Sequence, residues 1–362
     1  MLGANKTYQA VFEVESDGFA VVKRKGNPLR ERALVHRDLG KVGAVDPVNL
    51  INLVGRLVST GRRLNNYPII GLSESSILLG RVCSEFYGLG PFIFSTRYPA
   101  AGMISFAEPH SHAPNQFLNL SGIEDCRGLY IMEDEITTGN TAMNLIGALG
   151  ANLPQLHSVE ILALKVLCSS QRLTEMVRCA EQIGINLKIR YLYQEASVHD
   201  EPLVDWGIQP LAVPENLPVP ISDLERGRGR IEPFNPLQVR ARYSQWRKFL
   251  AQAKIPPAVT VIGASEAIDL SFEISQLLAM EGHASSFRHL TISPWELPGW
   301  HFPSANARTL HLYRPPKDGG AYILVYDHLF QTQPIQELAE RLQAIGGQVL
   351  IISDIEGDIR LE

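Results

Sequence analysis

Leu129-Tyr130-Ile131-Met132-Glu133-Asp134-Glu135-Ile136-Thr137-Thr138-Gly139-Asn140-Thr141 is the stretch that decides the fold. Its first four residues are apolar and read as a buried strand, two carboxylates stand at the strand's C-terminal end, and a turn of small residues opens a helix predicted over 141–149. Strand, turn and helix in this order form the repeating unit of an α/β domain. The first turn of a helix presents unpaired N–H groups and the positive end of the dipole, so Thr137, Thr138, Gly139, Asn140 and Thr141 make an anion cradle. Glu133 and Asp134 beside it can accept hydrogen bonds from vicinal hydroxyls. The two halves of the stretch together suit a sugar that carries a phosphate. An ordinary strand–turn–helix with a Thr-Gly cap and acidic residues at its N-terminal end would share these parts, but strand, acidic pair, Thr-Thr-Gly-x-Thr and helix arriving in order favour the binding reading.

Working outward, short apolar runs alternate with segments of helical period along the whole chain, the pattern of a mostly parallel sheet flanked by helices. Further strands are predicted at 69–72, 92–95, 159–167 and 187–193, with helices at 48–60, 76–86 and 170–183. Beyond the middle of the chain the strands are at 259–262, 286–291, 321–326 and 348–352, with helices at 268–280 and 334–345. Seven prolines between Pro202 and Pro236, and the run Arg226-Gly227-Arg228-Gly229-Arg230, exclude regular structure there. The expected organisation is a first domain over 1–225, a flexible, solvated linker over 226–240 and a second, smaller α/β domain over 241–362. The second reads either as a degenerate repeat of the first or as a separate α/β domain that shares its strand–turn–helix pattern by chance. Gly71-Leu72-Ser73-Glu74 pairs with Gly263-Ala264-Ser265-Glu266, Asp134 with Asp327, and Thr96-Arg97-Tyr98-Pro99 with Thr291-Ile292-Ser293-Pro294, all in nearly one register.

Composition bounds the rest. The 362 residues are 45% hydrophobic and 20% charged with a net charge of −5, an ordinary balance for a folded enzyme and a poor one for gripping nucleic acid or an anionic membrane. Cys83, Cys126, Cys168 and Cys179 lie far apart without a C-x-x-C pair, fitting reduced cytosolic thiols rather than zinc or a disulfide framework. No run approaches a membrane span and no signal-peptide pattern opens the chain, so a cytoplasmic protein is expected.

Other polar groups gather around the central stretch. Ser73, Glu74 and Ser75 follow a strand and open a helix; they either hold an anion or cap the helix, and Glu74 tolerates an anion only by binding magnesium or pointing away. Arg97 ends the next strand, and a Gly- and Ala-containing stretch leads from it to Glu108-Pro109-His110-Ser111-His112. His110 and His112 suit a mobile catalytic lid, or equally a solvated loop. Lys41, beside Gly40, is the best placed of the N-terminal cations.

The stretch 129–141 resembles the signature of the type I phosphoribosyltransferases, whose motif binds phosphoribosyl pyrophosphate (PRPP). The order Leu39-Gly40-Lys41, Gly71-x-x-Glu74, Thr96-Arg97-x-Pro99, Glu108–His112 and Glu133–Thr141 is similar to the branch associated with tellurite-resistance operons, which carries a C-terminal TRSP domain. That resemblance implies magnesium as cofactor, held by Glu133 and Asp134 through water, and a nucleobase-like acceptor to which the phosphoribosyl group is transferred with release of pyrophosphate. It implies that Glu133 and Asp134 face the ribose hydroxyls, that Thr137–Thr141 cradle the 5′-phosphate, that Ser73, Glu74, Ser75 and Lys41 serve PRPP, and that Arg97, with His110 or His112, meets the departing pyrophosphate. The TRSP stretch reads Thr291-Ile292-Ser293-Pro294 here, with its arginine gone. Nucleotide cleavage and non-catalytic PRPP sensing stand as alternatives, and a homodimer is an open option. The second domain, lacking the glycine of the cradle and carrying Leu329, Phe330 and Pro334 in its place, is expected not to bind PRPP and to supply an acceptor pocket, a lid or an assembly surface, with Ser265, Glu266, Thr291 and Ser293 as its contacts.

Overall fold

The computed structural model describes residues 18–23, 32–59, 65–107, 115–195, 227–303, 309–327, 332–355 and 358–361. In the first half, a hairpin of β1 (Phe19–Lys23) and β2 (Arg32–His36) leads through a short 3-10 turn to α1 (Pro47–Ser59), β3 (Ile69–Gly71), α2 (Ser75–Tyr87) and β4 (Phe92–Phe94). A second hairpin, β5 (Ile104–Ala107) and β6 (Asn115–Leu118), precedes β7 (Gly128–Ile136), α3 (Asn140–Asn152), β8 (Ser158–Val166), α4 (Ser170–Gln182) and β9 (Asn186–Gln194). The second half opens with α5 (Pro236–Leu250), followed by β10 (Ala258–Ala264), α6 (Ile268–Met280) and β11 (Ala284–Leu290). A third hairpin, β12 (Gly299–Pro303) and β13 (Thr309–Tyr313), then leads to β14 (Ala321–Asp327), α7 (Gln333–Ala344), β15 (Gln348–Ile355) and β16 (Asp358–Leu361).

The two halves share one topology. The first sheet runs β4-β3-β7-β8-β9, parallel throughout, and the second runs β11-β10-β14-β15-β16, parallel except for its antiparallel edge strand β16. In each, a strand, a buried helix, an edge strand, a hairpin, a long strand, a helix and a further strand follow in the same order. The predicted strands and helices lie where expected. The three hairpins, the edge strand β16 and α5 were not anticipated, the strands because they are short and α5 because Pro236 opens it; proline at a helix's first position costs nothing, since its N–H would have no intrahelical partner.

The halves are packed as one body through exchanged arms. Val45, just before α1, pairs with Phe287 on β11 of the second half, while Phe234, just before α5, pairs with Phe92 on β4 of the first. His289 N–H donates to Gly40 O at 3.0 Å, and Phe94 N–H donates to Gly229 O at 2.8 Å. Gly40 and Gly229 both have positive φ, +72° and +112°, and each lies against the other half's edge strand, where a Cβ would meet Phe287 or the Phe92 carbonyl at 3.0 Å. This reciprocal geometry is that of a two-fold interface, in which each partner gives what it receives, here built within one chain. Helices α2 and α6, buried along most of their length, lie between the sheets, and one hydrophobic core containing Leu78, Phe92, Trp246, Phe272 and Phe287 spans both halves.

The Arg-Gly run is the main correction to the sequence reading. Gly227–Arg230 is not a solvated hinge: Arg228 and Arg230 are 0% and 1% exposed. Arg228 grips Asp269 through two hydrogen bonds of 2.7 and 3.0 Å, and Arg230 donates to Glu266 at 2.9 Å and Asp327 at 2.7 Å. Beside them Arg81 and Arg242 converge on Glu273, whose carboxylate burial pushes up and the two guanidiniums pull down to about 2. Buried charges persist only when paired in this way. The helix that begins at Pro236 also falls within the stretch expected to be linker. Among the described residues no helix is long and apolar enough to cross a membrane.

Candidate functional site

The first sheet opens its C-terminal edge onto a pocket, and most of the candidate residues meet there. Strand β7 runs on to Ile136, further than the sequence suggested, so Glu133, Asp134 and Glu135 are carried by the strand itself to the pocket floor. Glu133 is buried and Asp134 partly exposed. Lys41 Nζ, buried, lies 3.5 Å from Asp134 Oδ2. Desolvation pushes the Asp134 carboxyl up, and the charges of Lys41 and Lys165 with a hydrogen bond from Ser75 outweigh it, holding the group below the ordinary carboxylate range. The pocket therefore presents an ionised, half-neutralised carboxylate to whatever enters.

Thr137, Thr138, Gly139, Asn140 and Thr141 line the same pocket, and α3 starts at Asn140. Gly139 takes the left-handed conformation with φ +76°, and a Cβ there would come within 2.3 Å of Met176 Sδ, so glycine is required twice over. The loop is braced from behind by a residue the sequence reading missed. Arg172 on α4 is 3% exposed and donates from Nε to Thr138 O at 2.8 Å and from Nη2 to Asn140 Oδ1 at 3.0 Å. Its only signal in the sequence is a cation three residues after the helix-capping Ser169, which does not reveal a contact more than thirty residues back along the chain. Asn140 Nδ2 is buried without a protein partner.

The turn Leu72–Ser76 forms another wall of the pocket. Ser73 looks toward β4, its N–H donating to Ser95 Oγ at 3.0 Å and its hydroxyl to the Ser95 carbonyl. Ser75 faces Asp134 and stands at the start of α2, where backbone N–H groups precede the helical ladder. Glu74 points away from the cradle, into the second half: it accepts from Ser265 Oγ at 3.0 Å and Thr291 Oγ1 at 2.7 Å. Burial pushes Glu74 up, and the charges of Arg97 and Lys41 with the Thr291 hydroxyl bring it below its ordinary range. His289 itself is pushed down to about 4 by burial, and so is neutral near pH 7.

Arg97 lines the pocket with a side chain only 6% exposed. Its Nη2 donates to Ser73 O at 3.3 Å and Nη1 stands 3.8 Å from Glu74 Oε1, but Nε and Nη1 have no hydrogen-bond partner in the protein. Buried guanidinium N–H groups aimed into a pocket and left unpaired are costly unless a ligand oxygen receives them. His110 and His112 lie outside the described residues, as does the segment 328–331 that corresponds to the cradle in the second half. Among the described residues no three metal-ligating side chains cluster.

The second half carries the same parts in a closed arrangement. Asp327, Glu266 and Arg230 occupy the places of Asp134, Glu74 and Lys41, but Asp327 is 2% exposed and held by Arg230. Glu266 mirrors Glu74 by reaching into the first half, where it accepts from Thr96 Oγ1 at 2.7 Å and Arg97 N–H at 2.8 Å.

Residues 19–196 match the family model described as phosphoribosyl transferase, and this segment is a phosphoribosyltransferase enzyme domain with the type I-like α/β fold. No curated protein sequence matches the chain. Among solved structures, the chain is similar to the adenine phosphoribosyltransferase of Rhodothermus marinus, at 14% identity and TM-score 0.37, over 49% of this chain and 94% of that one. A second is that of Trypanosoma brucei in complex with AMP, pyrophosphate and ribose-5-phosphate, at 16% identity and TM-score 0.38, over 52% and 81%. A third, from Giardia lamblia with 9-deazaadenine, has 15% identity and TM-score 0.34, over 49% and 93%.

Proposed function

We propose that the pocket at the end of β7 binds magnesium-PRPP and that the protein transfers its phosphoribosyl group to a nucleobase-like acceptor, releasing pyrophosphate. The observation that carries this reading is the junction of Glu133 and Asp134 with the braced Thr137–Thr141 cradle in one pocket. The cradle would take the 5′-phosphate through its N–H groups and hydroxyls, and the carboxylates would accept from the ribose hydroxyls. Arg97, with its unpaired N–H groups, would receive pyrophosphate oxygens.

The donor set fits magnesium, which commonly keeps its waters and takes only one or two protein carboxylates beside substrate phosphates. Glu133 and Asp134 would hold it, and it would supply charge neutralisation at the leaving group. The chain's own residues do the remaining work. Nitrogen attack at C1′ breaks the bond to pyrophosphate with inversion while cationic character develops on the ribose. Asp134 and Glu133 stabilise that charge, and the rigid cradle fixes the sugar in line. The motif order in the sequence also supports membership in the tellurite-resistance-associated branch.

The test is PRPP-dependent pyrophosphate release by the full chain across purine and pyrimidine bases. Turnover with at least one base supports transfer; tight magnesium-PRPP binding with no turnover on any base would make the protein a sensor instead.

A further inference from the structure

We infer that the turn Ile292–Trp295 of the second half is the acceptor-facing wall of the first half's pocket, and that Ser293 and Trp295 set which acceptor enters. The inference rests on the PRPP reading above and extends it to a part of the chain outside the matched domain.

The pocket has two chemically distinct sides. One is the polar floor of Glu133, Asp134 and the cradle, which suits a sugar phosphate. The other is an apolar rim lined by Val35 on β2 of the first half and by Ile292, Pro294 and Trp295 of the second. Trp295 packs with Val22, Ala33, Val35 and Val42, so the rim is one continuous apolar surface made by both halves. Lys41 joins the two sides, its Nζ 3.5 Å from Asp134 and 5.6 Å from the centre of the Trp295 ring. An acceptor must stand next to the ribose, and a planar, weakly polar ring is the ligand chemistry an aromatic and aliphatic wall receives.

The turn is built to hold its shape without a ligand. Glu74, itself a residue of the pocket, accepts from Thr291 Oγ1 at 2.7 Å and Ile292 N–H at 3.4 Å. Trp295 N–H donates to Tyr313 Oη at 2.6 Å, Tyr313 Oη donates to Ser293 O at 2.5 Å, and the Tyr313 ring stacks on Trp295 at 5.2 Å. Ser293 N–H donates to Thr291 Oγ1 at 3.1 Å. Such preorganisation is what a specificity wall requires. It also explains why Glu74 turns from the cradle: it fastens the second half's turn to the first half's site. The matching turn Thr96–Arg97, fastened by Glu266, shows the same exchange in reverse.

The experiment uses the full chain and two variants. Trp295→Ala removes the ring, and Ser293→Trp adds bulk at a partly exposed position without touching the core. Saturable binding of adenine, hypoxanthine, uracil and orotate is measured in the presence of magnesium-PRPP, and magnesium-PRPP affinity is measured separately. We expect at least one base to bind the unaltered chain and both variants to weaken it tenfold or more, with Trp295→Phe restoring most of the loss and PRPP affinity unchanged within about twofold. Base binding unchanged in both variants, or PRPP binding with no saturable binding of any of the four bases, would overturn the assignment of the turn alone. Failure of the unaltered chain to bind magnesium-PRPP would overturn the proposed function, and the inference with it.

Discussion

Lys41 in the first half and Arg230 in the second each follow a left-handed glycine and each face the carboxylate at the end of a central strand, but they do different things. Lys41 stands 3.5 Å from an Asp134 that stays partly exposed to a pocket; Arg230 lies 2.7 Å from an Asp327 with almost no exposure, and Arg228 and Asp269 close the space beside it. The same geometry leaves the carboxylate open to a pocket in the first half and encloses it among arginines in the second. On the proposed function a ligand would complete the partners of Asp134, whereas the chain's own Arg230 and Arg228 face Asp327.

The sharpest way to break that contrast is to remove each cation. Arg230→Met should destabilise the protein by roughly 3–5 kcal/mol in denaturant unfolding, because it leaves Asp327 and Glu266 buried and under-paired. Lys41→Met should cost about 1 kcal/mol or less, since water reaches Asp134, and should instead weaken magnesium-PRPP binding. Equal stability losses from the two would contradict the division of labour.

Acid should act chiefly through the closed half. The folded-state values of His289, about 4 against an ordinary 6.5, and of Glu273, about 2 against 4.5, are both depressed. The unfolded chain therefore binds more protons than the native one as pH falls, and stability present near pH 7 is lost from pH 6.5 toward 4 and again from 4.5 toward 2. Each group contributes up to roughly 3 kcal/mol. A His289→Gln variant should flatten the upper limb of a stability-versus-pH curve; a protein that gains stability on acidification from pH 7 to 4 would contradict these signs.

Smaller effects should be symmetric, and so sharpen the comparison from its other side. Gly40→Ala and Gly229→Ala both place a Cβ on left-handed backbone against the opposite half. Each should lower stability by about 1–2 kcal/mol in thermal or chemical unfolding. A marked loss from only one of them would argue that the two arms are not equivalent.

Much of this was legible in the sequence, and the parts that were not share a cause. Apolar runs flanked by turns gave β3, β7, α6 and their neighbours, because local periodicity reflects burial on a sheet. The acidic pair and the cradle were visible because their chemistry is contiguous along the chain. The Arg-Gly run misled because composition describes a segment in water, whereas Arg228 and Arg230 find carboxylates on β14, α6 and the turn before it, far away in sequence. For the same reason Gly229-Arg230 could not be recognised as the partner of Gly40-Lys41, nor Arg172 as the brace of the cradle. The direction of Glu74 likewise depended on a second half that only the fold brings into contact.

Calorimetric titration of the full chain with magnesium-PRPP tests whether the chain holds one open PRPP site and one closed copy. One site per chain is expected, weakened at least tenfold in the Glu133→Gln/Asp134→Asn double variant, where ribose hydroxyls would lose charged acceptors, with the unfolding transition preserved. Two sites per chain, or unchanged affinity in the folded double variant, would contradict it.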